Sequence, residues 1–119
     1  MTKNELLNEY QNNEELLLKK WYAYSIAEER EISIDDVEYK TIPFLSEELK
    51  EKFLLWVTNN RTRLHKIICI DFNYIEKKEK YESTTDILIM LSDFLSSEYT
   101  ASLEIAILLS KTVLDELCL

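Results

Sequence analysis

Ile105-Ala106-Ile107-Leu108-Leu109 is the stretch whose reading decides the fold. Five consecutive apolar residues cover more than one turn of an α-helix, so a helix built on them is apolar on nearly all sides. Such a helix lies at the centre of a bundle or is partly covered by another protein. It starts between Thr100 and Ser102, and Val113, Leu114 and Leu117 carry the pattern onward.

The segments around it read as helices too. Ser83-Thr84-Thr85-Asp86 is a helix start, followed by a broad apolar face of Ile87, Leu88, Met90, Leu91, Phe94 and Leu95 that Ser96-Ser97 closes. Ser46 opens another helix, with Glu47 and Glu48 at the positive end of its dipole and Leu49, Phe53, Trp56 and Val57 on one face. Asn59-Asn60 ends or bends it, and Arg61 to Ile70 resumes with Leu64, Ile67 and Ile68 inward. Asp71-Phe72-Asn73-Tyr74 is an irregular corner with its aromatics folded inward, and Glu76 to Glu82 is a charged connection or a short solvated helix.

At the N-terminal end, Thr2-Lys3-Asn4-Glu5 has the capping-box pattern, and Leu6, Leu7 and Tyr10 supply an apolar stripe. Gln11-Asn12-Asn13 weakens the helix before Leu17, Trp21, Tyr24 and Ala27 recur on one face, which gives one interrupted helix to about Glu29 or two short ones. Residues 31–45 form a connector: Ile32, Ile34, Val37, Tyr39 and Ile42 favour extended backbone, while Ser33-Ile34-Asp35-Asp36 suits a short helix start. Pro43, the only proline, disfavours helical geometry at Ile42. The expected fold is all-α: a single helical domain over residues 1–119, a compact bundle of five to six helices with an irregular connector around 31–45.

None of the 119 residues is glycine. Tight primed hairpin turns lean on glycine, so its absence also favours helices. The Walker loop, the dinucleotide fingerprint and the nucleophile elbow need backbone that only glycine readily supplies, and are excluded as normally written. Helix ends must then stop on Asn, Ser or acidic residues, and Asn59-Asn60 and Ser96-Ser97 are the expected left-handed caps.

A net charge of −9 opposes a nucleic-acid partner, because phosphate neutralisation needs clustered cations. Residues 1–50 carry twelve acids against six bases, so the acidity leans toward that half. Arg61, Arg63 and Lys66 form one small basic patch and Lys77, Lys78 and Lys80 another, the second interleaved with Glu76, Glu79 and Glu82. No apolar run approaches the length of a membrane span, and no secretory signal pattern is present, so no membrane partner and a cytoplasmic location are expected.

Reactive side chains are sparse. His65 is the only histidine and has basic neighbours, which suits a surface position rather than acid–base work. Cys69 and Cys118 sit in apolar runs and read as buried, reduced thiols, at a separation that fits no standard zinc site. Asp86 and Asp93, and Glu104 and Asp115 with Lys111 between them, read as solvated faces and caps, without the Glu-x-x-His pattern of di-metal bundles. No catalytic residue, cofactor or metal ligand is expected. The aromatics remain as interface candidates: Trp21, Tyr22, Tyr24, Phe53 and Trp56 in the first half, and Tyr74 and Tyr81 flanking the second basic group. Trp21 and Tyr22 are adjacent and cannot both face inward, which leaves Tyr22 for a rim or a partner.

Two stretches carry a family resemblance: Ile68-Cys69-Ile70-Asp71-Phe72-Asn73-Tyr74 with Lys77-Lys78, and Leu108-Leu109-Ser110-Lys111-Thr112-Val113-Leu114-Asp115-Glu116-Leu117-Cys118. Together, over about residues 50–118, they resemble the small helical effector-associated domains found beside CHAT and trypsin-like proteases in bacterial conflict systems. The chain departs from that pattern at Phe72, where the family usually has tryptophan, and at Val113, where it commonly has glycine. The resemblance implies a non-catalytic protein–protein interaction or adaptor domain, whose partner is another protein such as an effector protease or a sensor. The acidic charge supports a second expectation: an inhibitor or immunity protein that covers a basic site on a toxin or nuclease. Homodimerisation through the final helix is a further option.

Overall fold

The computed structural model describes residues 2–119, which form eight α-helices and, among the described residues, no strand. They are α1 (Lys3–Asn12), α2 (Glu14–Arg30), α3 (Ser46–Asn59), α4 (Arg61–Leu64), α5 (Tyr74–Lys80), α6 (Thr84–Leu95), α7 (Ser102–Lys111) and α8 (Leu114–Leu117). The all-α class therefore holds, but eight helices replace the expected five to six.

The extra helices come from polar side chains that compete with the helical ladder. At the first break, the Asn13 side chain accepts from the Leu16 N–H at 3.1 Å, so Asn13 caps α2 and divides it from α1. At the last, the Thr112 hydroxyl donates back to the Leu108 carbonyl at 2.7 Å and the Thr112 backbone leaves helical geometry, so Leu114 and Leu117 belong to a separate short helix. Between α4 and the corner, residues His65–Asp71 widen into a π-helix, and the Phe72 N–H donates to the Ile67 carbonyl five residues back at 2.9 Å. The connector contains two single 3₁₀ turns, Ile34–Asp36 and Tyr39–Thr41, the first capped by the Ser33 hydroxyl.

The α7 helix is the axis of the molecule. Every residue from Ser102 to Leu109 is buried, and α7 packs against α1, α2, α6 and α8. Each of its fully buried leucine and isoleucine side chains contributes about 1.5–3 kcal/mol relative to exposure. Glu104 lies in this run at 3% exposure, so the expected solvated face with Asp115 is not formed. The buried carboxylate is tolerated because the Tyr10 hydroxyl donates to it at 2.6 Å across the α1–α7 interface. Burial, and then the charge and hydrogen bond of Glu104, push the Tyr10 hydroxyl far above its ordinary pKa.

The cysteines are not free thiols. Cys69 and Cys118 form a disulfide, with their Cα atoms 5.3 Å apart. Their apolar neighbours explain the difference: Ile67, Ile68 and Leu117 fill the core, which leaves both cysteines half-buried at its edge, where the π-helix meets the end of α8. The backbone also corrects the expected caps. Positive φ occurs only at Glu31 and Asn73, both at 56°, among the described residues, while Asn60 and Ser96 keep negative φ. At the end of α2 the Ile32 N–H donates to Ala27 O at 3.0 Å and the Glu31 N–H to Glu28 O at 3.3 Å, the Schellman pattern with glutamate where glycine is usual. No helix among the described residues is long and apolar enough to cross a membrane.

Candidate functional site

On α2, Trp21, Tyr24, Ser25 and Glu28 fall at i, i+3, i+4 and i+7, which places them on one face. Opposite them stand Trp56 near the end of α3 and Arg63 on α4, and the turn between α6 and α7 adds Glu98, Tyr99 and Thr100. Together these elements enclose a cleft of about 240 Å³.

The base of the cleft is held by aromatic contacts. Trp21 is 4% exposed and meets Phe53 edge-on at 5.1 Å and Trp56 at 6.2 Å, and Trp56 in turn meets Tyr99 edge-on at 5.5 Å. Edge-to-face packing suits the ring quadrupoles and fixes the relative tilt of the walls. Asn60 terminates α3 and donates its side-chain N–H to the Trp56 carbonyl at 2.8 Å, so the same residue closes the helix and steadies the wall.

Polar contacts hold the rim. The Thr100 hydroxyl donates to Oε1 of Glu28 at 2.6 Å, tying the α6–α7 turn to α2. Arg63 pairs with Oε2 of Glu98 while its guanidinium carbon lies 5.6 Å from the centre of the Tyr99 ring. The Tyr99 hydroxyl oxygen is buried and has no hydrogen-bond partner among the described residues. Burial raises the pKa of this hydroxyl, Arg63 opposes the rise and Glu98 adds to it. Tyr24 is raised as well, by burial and then by the charges of Glu104 and Asp35. The cleft thus combines aromatic side chains with two carboxylates and one guanidinium.

Of the sequence candidates, Phe53 is fully buried against Trp21 and offers no surface to a partner, while Trp21, Tyr24 and Trp56 meet in this cleft. Tyr22 is half-buried beside it, packed edge-on against Phe44 at 5.4 Å. Tyr74 is remote: it is buried near α8 and donates its hydroxyl to Asp115 at 2.9 Å. Tyr81 is exposed, with the Lys80 ammonium 5.7 Å from its ring. The basic patches are largely engaged, Arg63 by Glu98, Lys66 by Asp71 at 3.1 Å and Lys78 by Asp115 at 2.8 Å. His65 is exposed and lies outside the cleft.

Sequence reasoning missed Glu28, Glu98 and Tyr99, and read Arg63 only as part of a basic patch. A signal existed for Glu28, which extends the Trp21–Tyr24 face by one turn. Tyr99 offered a weaker one, as a single aromatic inside the polar turn Ser96-Ser97-Glu98-Tyr99-Thr100. No protein-family model matches the chain, and no curated protein or solved structure matches it.

Proposed function

We propose that the chain is a non-catalytic protein–protein interaction module, and that the Trp21–Trp56–Tyr99 cleft is its contact site. The observation that carries this reading is the convergence of four aromatic residues and three charged residues from α2, α3, α4 and the α6–α7 turn on one opening at the surface. Aromatic residues and arginine dominate binding energy at protein interfaces when they sit in pockets ringed by polar groups. The resemblance of residues 50–118 to effector-associated domains makes the role that of an adaptor in bacterial defence signalling, bringing an effector protease to a sensor.

A second reading, an acidic inhibitor that covers a basic site on a toxin or nuclease, draws support from Glu28 and Glu98 at the rim and from the net charge of −9. Electrostatic steering would then speed association and make it strongly salt-dependent. The disulfide weakens the support for a cytoplasmic location, because joined cysteines persist mainly in oxidising compartments.

The contact site is tested by placing a photo-crosslinking amino acid at Thr100, on the rim, and at Glu79, an exposed position of α5 outside the cleft. In cells of the native host, position 100 is expected to capture a discrete protein that position 79 does not. Equal capture from both positions, or none from position 100, refutes the cleft as the contact site. Irradiation repeated in lysate, with the adduct failing to form at moderate salt, distinguishes the inhibitor reading from the adaptor.

A further inference from the structure

The chemistry of the cleft narrows what it receives. We propose that it is a socket for the guanidinium of an arginine side chain presented by a partner protein, an assignment that rests on the cleft being the contact site.

Three observations converge on this ligand. Trp21 lies buried at the base and the half-buried rings of Tyr24, Trp56 and Tyr99 line the cleft above it, and aromatic rings attract cations, with tryptophan the strongest and arginine the commonest ligand. The rim carries two carboxylates against one base, so the opening has negative character in a molecule already at −9. Thr100 engages only Oε1 of Glu28 and Arg63 only Oε2 of Glu98, which leaves an acceptor oxygen on each carboxylate among the described contacts.

Arg63 supplies the third observation. Its guanidinium already lies against the Tyr99 ring and on the Glu98 carboxylate, so the molecule itself shows the pairing of aromatic face and carboxylate that this surface holds. A cleft of about 240 Å³ is smaller than the usual ~300–1,000 Å³ of small-molecule sites and suits one side chain. A guanidinium fits better than an ammonium, because it is planar, weakly hydrated, stacks on rings and bonds carboxylates in a fork. An acidic ligand would meet Glu28 and Glu98 with Arg63 already committed.

The chain carries its own reporter, because both of its tryptophans line this cleft. Titration with N-acetyl-arginine amide is expected to change tryptophan emission saturably, with a dissociation constant on the order of 1–10 mM for so small a ligand. N-acetyl-citrulline amide, the neutral isostere, is expected to bind at least about tenfold more weakly, because it makes no charge-assisted bonds. Glu28→Gln keeps an oxygen for Thr100 and removes the charge, and is expected to weaken arginine binding about threefold to fivefold, as for an exposed ion pair. An unsaturable response, equal binding of citrulline, or unchanged affinity in Glu28→Gln overturns the proposal. If position 100 captures a protein while arginine amide fails to bind, the contact site stands and the guanidinium assignment falls. If arginine amide binds while position 100 captures nothing, the ligand is a free guanidino compound, and the partner's side chain is excluded as its source.

Discussion

Breaking the Cys69–Cys118 bridge removes a cross-link that closes a loop of 49 residues, and its effect on stability follows from the entropy of that loop. With an entropy of about −2.1 − 1.5R ln n cal/mol/K, a loop of this length restricts the unfolded chain by about 14 cal/mol/K, or about 4 kcal/mol at 25 °C. Native packing limits the damage on the folded side, because Leu114 and Leu117 remain buried and Tyr74 still donates to Asp115. The reduced protein is therefore expected to keep its helical content without denaturant while unfolding much earlier in urea. At an m-value of about 1–2 kcal/mol/M, the midpoint falls by about 2–4 M. The assay is urea unfolding followed by circular dichroism, for oxidised protein, for protein treated with dithiothreitol and for the double variant Cys69→Ser/Cys118→Ser, with the disulfide verified by mass spectrometry. Coincident oxidised and reduced curves, from a sample whose bridge was intact beforehand, would refute the reasoning.

Three further perturbations test the fold. Glu31→Gly relieves a left-handed residue that costs about 1–2 kcal/mol and returns part of that as unfolded-chain entropy, so a net gain of about 0.5–1 kcal/mol in urea unfolding is expected, with no gain for Glu31→Ala. Tyr10→Phe deprives the buried Glu104 carboxylate of its donor and is expected to cost about 2–3 kcal/mol, whereas Glu104→Gln, which keeps an acceptor for Tyr10, costs less. The alkaline limb of stability is set by tyrosines: burial, and then the hydrogen bond to Asp115, push Tyr74 up to about 12, and Tyr10 is raised further by burial and Glu104. A group whose folded pKa exceeds its unfolded value of about 10 gives stability that is complete below pH 10 and lost as pH rises through the folded value. The urea midpoint is thus expected to fall between pH 10 and 12, and Tyr74→Phe to flatten that fall; an unchanged slope in this variant contradicts the assignment.

The helical faces were legible because their periodicity is local. Leu17, Trp21 and Tyr24 recur at helical spacing, and Leu49, Phe53 and Val57 did so as clearly; Leu17, Trp21, Leu49, Phe53 and Val57 are all buried. At the Asp71–Tyr74 corner the inward aromatics were legible, since Phe72 and Tyr74 are both buried, but the π-helix that runs to Asp71 was not. The breaks were harder, since Thr112 ends α7 through a hydroxyl that donates back to Leu108, and threonine elsewhere in a helix often does no more than bend it. Half of the candidate site was visible, as Trp21, Tyr24 and Trp56. The other half lies on the α6–α7 turn and on α4, which no local spacing connects to α2.

The sequence by itself determined the all-α class, a helix over residues 105–109 that is apolar on nearly all sides and the absence of glycine-dependent phosphate loops, because each follows from side-chain period or backbone permission within one or two turns of chain. Only the tertiary structure decided that Glu104 is buried beneath Tyr10, that Cys69 meets Cys118, and that Trp21, Trp56, Tyr99, Glu28 and Arg63 share one cleft. Those are relations between residues dozens of positions apart, and they arise from how the helices pack around α7. Periodicity assigns each helix a buried face, but not the neighbour that buries it.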